Sequence, residues 1–262
     1  MTEAFDNGRP HPARVYDYLL GGKDNFAADR AAAEQGIKVN PNAVTAPRQN
    51  RAFLRRSVNY LAQRGVRQFL DIGTGLPTKP TVHEVAQRVE PAARVVYADN
   101  DPLVLAHARA LLTGSPEGRT CYVDADLREP RRILESAELR ETLDLEQPVG
   151  LLLFAVLHFI EDDHDPYGIV KELMSALPSG SFLVVSHLTA DYDPEAWGRF
   201  TEVMRNQGMV SRLRSQAEVG RFFDGLEMVE PGVVPILSWR PDEDVPFTDA
   251  QVSLYGGIGK KP

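Results

Sequence analysis

The chain has 262 residues, a formal net charge of −8, 43% hydrophobic residues and one cysteine, Cys121. That length and apolar content suit one sizeable α/β core, while the acidic balance argues against non-specific nucleic-acid binding. The lone cysteine excludes an internal disulfide and fits a reducing, cytoplasmic setting, and neither a membrane-length apolar run nor a signal peptide is read in the sequence.

Residues 1–15 read as extended and polar, and residues 16–36 as helical with a break at Gly21 and Gly22. A turn at Asn40-Pro41-Asn42 leads to a helix from Pro47 to Gln63, with Leu54, Val58 and Leu61 on one face and Gly65 at its end. Residues 1–65 are expected to be a helical extension of the domain formed by residues 66–262.

The next segment, RQFLDIGTGL at 67–76, carries the strongest signal. Phe69, Leu70 and Ile72 read as a buried parallel strand, and Gly73-Thr74-Gly75 as a sharp turn open to a ligand. A helix follows from Thr81 to Val89. Strand, glycine turn and helix open a nucleotide-binding sheet. The dinucleotide fingerprint requires a third glycine, where this chain has Thr78. Asp71, two residues before the first glycine, suits a cation and opposes a pyrophosphate. Both features favour S-adenosylmethionine over NAD.

A second strand, Val95 to Asp99, ends in an acid 24 residues after Gly75, near the spacing of about 20 expected for a carboxylate on ribose hydroxyls. Asp101 before Pro102 reads as the cap of the next helix, whose buried face carries Val104, Leu105, Ala108, Leu111 and Leu112. A third strand, from Cys121, ends at Asp126 and Leu127; Cys121 reads as buried. Asp126 is expected to accept from an adenine amino group and Leu127 to offer its backbone amide to the ring. The fourth strand spans Val149 to Val156, and the fifth Phe182 to Ser186. Between them a helix buries Ile169, Val170, Leu173 and Leu177. Pro194 opens another helix with Trp197, Phe200 and Met204 inward. After a capping box at Ser215–Glu218, Leu226–Val234 and Val252–Ile258 read as two strands with no helix between them.

ARVYDYLLGGKDNF (13–26), FLDIGTGLPT (69–78), YADNDP (97–102), AVLHF (155–159) and YGGIG (255–259) together resemble an actinobacterial family of predicted S-adenosylmethionine-dependent methyltransferases, long catalogued as a domain of unknown function. The resemblance covers almost the whole chain. It implies a class I methyltransferase Rossmann-like fold, with a seven-stranded, mostly parallel sheet and an antiparallel last strand. It implies S-adenosylmethionine as cofactor and S-adenosylhomocysteine as product, and it names no acceptor.

In such a sheet the ligand crevice lies beyond the carboxyl ends of the strands. Gly73, Thr74 and Gly75 are expected along the methionine part, Asp71 at its ammonium, Asp99 at the ribose hydroxyls with Asn100 beside it as a further cofactor contact, and Ala155, Val156 and Leu157 along the methionine and ribose. The N-terminal segment is expected to be a lid, with Tyr16 and Tyr18 as walls and the Arg14 fork on the cofactor carboxylate. His158 and His187, just past strand ends, are the candidate general bases. No metal site is expected; the acids from Glu161 to Asp165 precede Pro166 at a helix start. Arg205, Arg212 and Arg214 flank a loop and read as surface residues. The expected activity is methyl transfer to a small-molecule acceptor, with no nucleic-acid or membrane partner. The alternatives are a non-catalytic cofactor-binding sensor and an NAD-dependent oxidoreductase.

Overall fold

The computed structural model describes residues 7–111 and 114–262. Three helices come first, α1 (Pro12–Leu20), α2 (Ala27–Val39) and α3 (Thr45–Gln63). Then follow β1 (Gln68–Ile72), α4 (Val82–Val89), β2 (Arg94–Asp99), α5 (Pro102–Leu111), β3 (Arg119–Asp124), α6 (Pro130–Leu134), α7 (Ala137–Thr142), β4 (Gly150–Phe154), α8 (Pro166–Ser175) and β5 (Phe182–Leu188). The chain closes with α9 (Pro194–Asn206), α10 (Gln216–Gly220), β6 (Glu227–Met228), β7 (Val234–Pro235), α11 (Asp249–Val252) and β8 (Leu254–Lys260). The side chains of Ala108 and Leu111, and all of Leu112, lie outside the described residues.

One sheet has the order β3-β2-β1-β4-β5-β8-β6, and β7 also pairs with β8. Strands β1 to β5 are parallel, and β8 runs antiparallel to β5 from Phe182 opposite Lys260 to Leu188 opposite Leu254. Alternate side chains enter opposite layers, as strand geometry requires. Phe69, Val95, Leu152 and Val184 pack with Phe53, Leu54, Val58 and Leu61 of α3. Leu70, Val96, Leu151 and Val185 pack with Ile133, Leu139, Ile169 and Leu173 of α6 to α8. Coverage of both faces explains why β1, β4 and β5 are buried throughout.

The first helix starts earlier than residue 16. His11 is its N-cap and Pro12 its first residue, where a missing N–H costs nothing. Gly21 closes it in a left-handed conformation, at φ 85°. Asp17 then organises the following turn by accepting from the Asp24 N–H and the Asn25 amide. The expected strand at Leu226–Val234 is two short pieces, β6 and β7, separated by a turn containing Pro231, which lacks a ladder donor. Cys121 is half buried, because β3 is the sheet edge; its thiol donates to the Glu138 carbonyl. Asp101 caps α5 through the Leu103 N–H, as the sequence suggests. Among the described residues no helix is long and apolar enough to cross a membrane.

Candidate active site

Strand order reverses at β1, with β2 on one side and β4 on the other, which opens a crevice beyond their carboxyl ends. The crevice is a cleft of about 400 Å³, and its wall includes Asp71, Gly73, Thr74, Gly75, Asp99, Asn100, Asp126, Leu127, Ala155 and Val156. The glycine turn shapes its floor. Gly73 and Gly75 have φ of 71° and 64°, a region that side-chain-bearing residues adopt rarely. A Cβ on Gly73 would sit 2.3 Å from Val156 Cγ2, whereas one on Gly75 would meet nothing within 4 Å.

Two acids flank this turn. Asp71 accepts from the Thr74 hydroxyl at 3.1 Å and is raised to about 7, chiefly by burial. Asp99 accepts from the Gly75 N–H at 2.8 Å and the Asp101 N–H at 3.0 Å. Burial pushes it upward, and these two donors pull the other way. Ala155, at the end of β4, holds φ 50°, a strained value for a residue with a Cβ. Its N–H is fixed by the Ser186 carbonyl and hydroxyl, both at 3.0 Å.

Asp126 is already engaged. Arg128 donates to it from its backbone N–H, Nε and Nη2, and Asn100 donates from its amide at 2.8 Å. Burial would raise this carboxyl, but these contacts outweigh it and hold Asp126 at about 2. Its roughly four acceptor positions are filled, so a further donor must displace Arg128 or Asn100.

The N-terminal residues divide. Tyr16 lines the cleft; its hydroxyl donates to the Pro47 carbonyl and accepts from the Asn50 amide. Arg14 does not line it. Its guanidinium is buried against Asp101, with Nε at 2.9 Å and Nη2 at 3.3 Å, so the expected contact with a cofactor carboxylate is corrected to a clasp between α1 and the start of α5. Tyr18 is corrected too: its hydroxyl donates to Glu34 and it stands outside the cleft wall. His11, Asn50 and Arg51 line the cleft and were not singled out in the sequence. Asn50 had a signal, since it falls four residues before Leu54 on the apolar stripe of α3. Arg51 holds the Thr78 carbonyl through Nη2 at 2.6 Å, while its buried Nε has no hydrogen-bond partner.

A smaller cavity of about 90 Å³ adjoins the cleft and shares Pro12, Tyr16, Asn50, Ala155, Phe159 and Met209 with it. His158 lines this chamber rather than the cleft. Burial, and then Arg214, lower His158 to about 3, so it is a neutral imidazole and not the base near neutrality that the sequence suggests. His187 lines neither cavity. Strand β5 continues past Ser186, so the His187 ring is fully buried, donating from Nδ1 to the Leu188 carbonyl and accepting at Nε2 from Arg214. Burial holds it well below its ordinary value. Arg214 is buried as well, bound to the Leu157 and Ile160 carbonyls and to Asp162, which corrects its reading as a surface residue. Leu157 faces the core, fully buried and outside the cleft wall. Among the described residues no group of His, Cys, Asp and Glu is arranged to hold a metal.

A family model described as S-adenosyl methyltransferase matches residues 1–262. A crystal structure of a DUF574 family protein from Streptomyces avermitilis is 46% identical, with TM-score 0.96, over 98% of this chain and 99% of that one. A candidate methyltransferase from Thermobifida fusca is 40% identical, with TM-score 0.90, over 98% and 96%. An N-methyltransferase, NodS from Bradyrhizobium japonicum, solved with S-adenosylhomocysteine, is 14% identical with TM-score 0.50 over 95% and 99%, a likeness of fold alone. No curated protein matches the sequence.

Proposed function

Because this chain belongs to the S-adenosyl methyltransferase family, we propose that its cleft holds the cofactor through Asp71, Arg51, Asp99 and the Gly73–Gly75 turn and presents it to a small-molecule acceptor. The enzyme is S-adenosylmethionine-dependent, and the expected class I methyltransferase fold is the one observed. When bound, the cofactor supplies a methyl carbon activated by its sulfonium.

The carrying observation is that a buried carboxyl and a guanidinium share the cleft wall with the glycine turn. Asp71 is buried and ready to gain from a neighbouring cation. Beside it in the cleft wall, the orphaned Arg51 Nε–H supports a carboxylate partner, the role first given to Arg14. Asp99 spends one acceptor position per oxygen on backbone N–H groups, which leaves the others for ribose hydroxyls. The open space over Gly75 lets a ligand lie against the backbone. Asn100, Asp126 and Leu127 form the adenine end, with Arg128 swung away from Asp126. Ala155 and Val156 complete the wall.

Helices α1 to α3 act as a lid of the same domain: Pro12 and Tyr16 stand in the cleft wall and help exclude water. Orientation is then the main catalytic contribution, worth about 7–11 kcal/mol in favourable cases. The single cysteine supports a cytoplasmic setting.

Calorimetric titration with S-adenosylhomocysteine tests the site. Saturable binding that Asp99→Ala abolishes is expected, with no binding of NAD. Binding unaffected by Asp99→Ala would move the cofactor elsewhere. Transfer of label from methyl-labelled cofactor to a component of a small-molecule extract separates an enzyme from a sensor.

A further inference from the structure

The chamber behind the cleft is unlike it in chemistry. Its lining includes Leu19, Phe159, Phe200, Met204, Met209 and Leu254, and none of its lining residues is Lys, Arg, Asp or Glu. Two of the lining residues nonetheless carry an unsatisfied polar atom. The Trp197 indole Nε1 and His158 Nδ1 are buried without a hydrogen-bond partner, on residues 2% and 7% exposed. Buried polar groups are normally paired, so two orphans in one apolar cavity mark a place where a partner arrives from outside the chain.

We propose that this chamber is the acceptor subsite, and that it takes an uncharged, compact apolar group carrying one oxygen that accepts from the Trp197 indole N–H. This rests on the methyl-transfer reading. The wall shared by chamber and cleft puts a molecule seated in the chamber directly against the cofactor's side of Tyr16, Asn50 and Ala155. A cavity of about 150 Å³ is known to hold benzene, so 90 Å³ accepts a small ring edge or a short branched chain, while the rest of a larger acceptor stays in the cleft. The neutral His158 ring offers one donor and one acceptor nitrogen and serves as a second hydrogen-bonding partner. With no charged residue in its wall, the chamber gives an ammonium or a carboxylate no opposite charge to offset its desolvation.

The chain has two tryptophans, and Trp239 lines neither cavity, which gives an internal control. Protein labelled with nitrogen-15 shows two indole N–H resonances, assigned with Trp197→Phe and Trp239→Phe. Titrating cyclopentanol into protein saturated with S-adenosylhomocysteine is expected to shift the Trp197 resonance saturably and leave that of Trp239 in place. Cyclopentylamine and isovalerate should bind at least 10-fold more weakly. Ala46→Met, which fills the chamber and keeps the indole, should weaken cyclopentanol by a similar factor. An unmoved Trp197 resonance, or equal shifts with the charged probes, overturns the proposal. Repeating the titration without S-adenosylhomocysteine, and measuring its binding by calorimetry, separates the two readings. Loss of cofactor binding sinks the site in the cleft, and a silent Trp197 in cofactor-saturated protein sinks the chamber alone.

Discussion

Asn50 and Ser186, 136 residues apart, meet through a 2.6 Å hydrogen bond from the serine hydroxyl to the asparagine carbonyl oxygen. The chain of contacts runs further in both directions. The Asn50 amide donates to the Tyr16 hydroxyl, and the Ser186 hydroxyl accepts from the Ala155 N–H. One buried amide therefore joins α1, α3 and β5 to the strained end of β4. Asn50→Ala is expected to leave buried partners unsatisfied and cost about 1–3 kcal/mol, read as a lower Tm with weaker S-adenosylhomocysteine binding. Asn50→Asp keeps an acceptor for Ser186 and loses the donor to Tyr16, so it should fall between wild type and alanine. Equal Tm for all three proteins would show that the network carries no stability.

Asp71 sets a trade between stability and binding. Its carboxyl is raised from 3.8 to about 7 in the folded chain, so the folded state holds a proton that the unfolded state has already lost. The stabilising contribution is full below about pH 4 and disappears as pH rises through 7. Asp71→Asn carries no charge to bury. It should raise Tm relative to wild type above pH 7, and this advantage should vanish by pH 4. It also removes a charge-assisted contact worth roughly 1.5–3 kcal/mol, so S-adenosylhomocysteine should bind about 10- to 100-fold more weakly at pH 8. Thermal scans and calorimetry at both pH values check the two halves.

Arg14 and Arg51 should fail in different ways. Arg14→Ala takes the guanidinium away from the fully buried side chain of Asp101, which is left with the Leu103 N–H and His11. Breaking a buried pair costs about 3–5 kcal/mol, or a fall in Tm of roughly 6–20 °C. Arg51→Ala should lower cofactor affinity at least 10-fold with a smaller loss of Tm, since its Nε has no protein partner. The same pattern for both variants would erase the distinction between clasp and ligand contact.

His158 is expected to show itself through acid sensitivity. The folded protein keeps it neutral down to about pH 3, whereas the unfolded chain takes up a proton near 6.5. Its contribution is complete above 6.5 and is lost as pH falls toward 3. Between pH 7 and pH 4 the Tm of wild type should therefore fall more steeply than that of His158→Gln. Parallel curves would contradict a neutral, buried ring.

The parts of the site legible in the sequence were those written in consecutive residues. The glycine turn after β1, Asp99 at the end of β2 and Asp126 two residues past β3 are local patterns, and all line the cleft. The N-terminal helix was harder because rotation decides which side chain faces inward. At about 100° per residue, Tyr16 lies roughly 200° around from Arg14, while Arg14 and Tyr18 share a side. Three attractive residues within five positions therefore had no common target. His187 misled because β5 continues to Leu188 and pairs with β8, placing His187 opposite Tyr255 inside the sheet. Arg214 gave no local sign of burial, since its partners come from residues 157–162 and 187, far away in the chain.

A branch methyl of Val156 stands 2.3 Å from where a side chain at position 73 would begin. The two positions are thus bound into one shared volume, and the chain can enlarge one only by shrinking the other. Trimming Val156 to alanine would give an alanine at 73 the room it lacks, yet the backbone there would still hold φ 71°, a strain of about 1–2 kcal/mol that no partner can relieve. The corner is thereby one-sided: position 156 can shrink with no change of backbone, while any side chain at position 73 carries that strain.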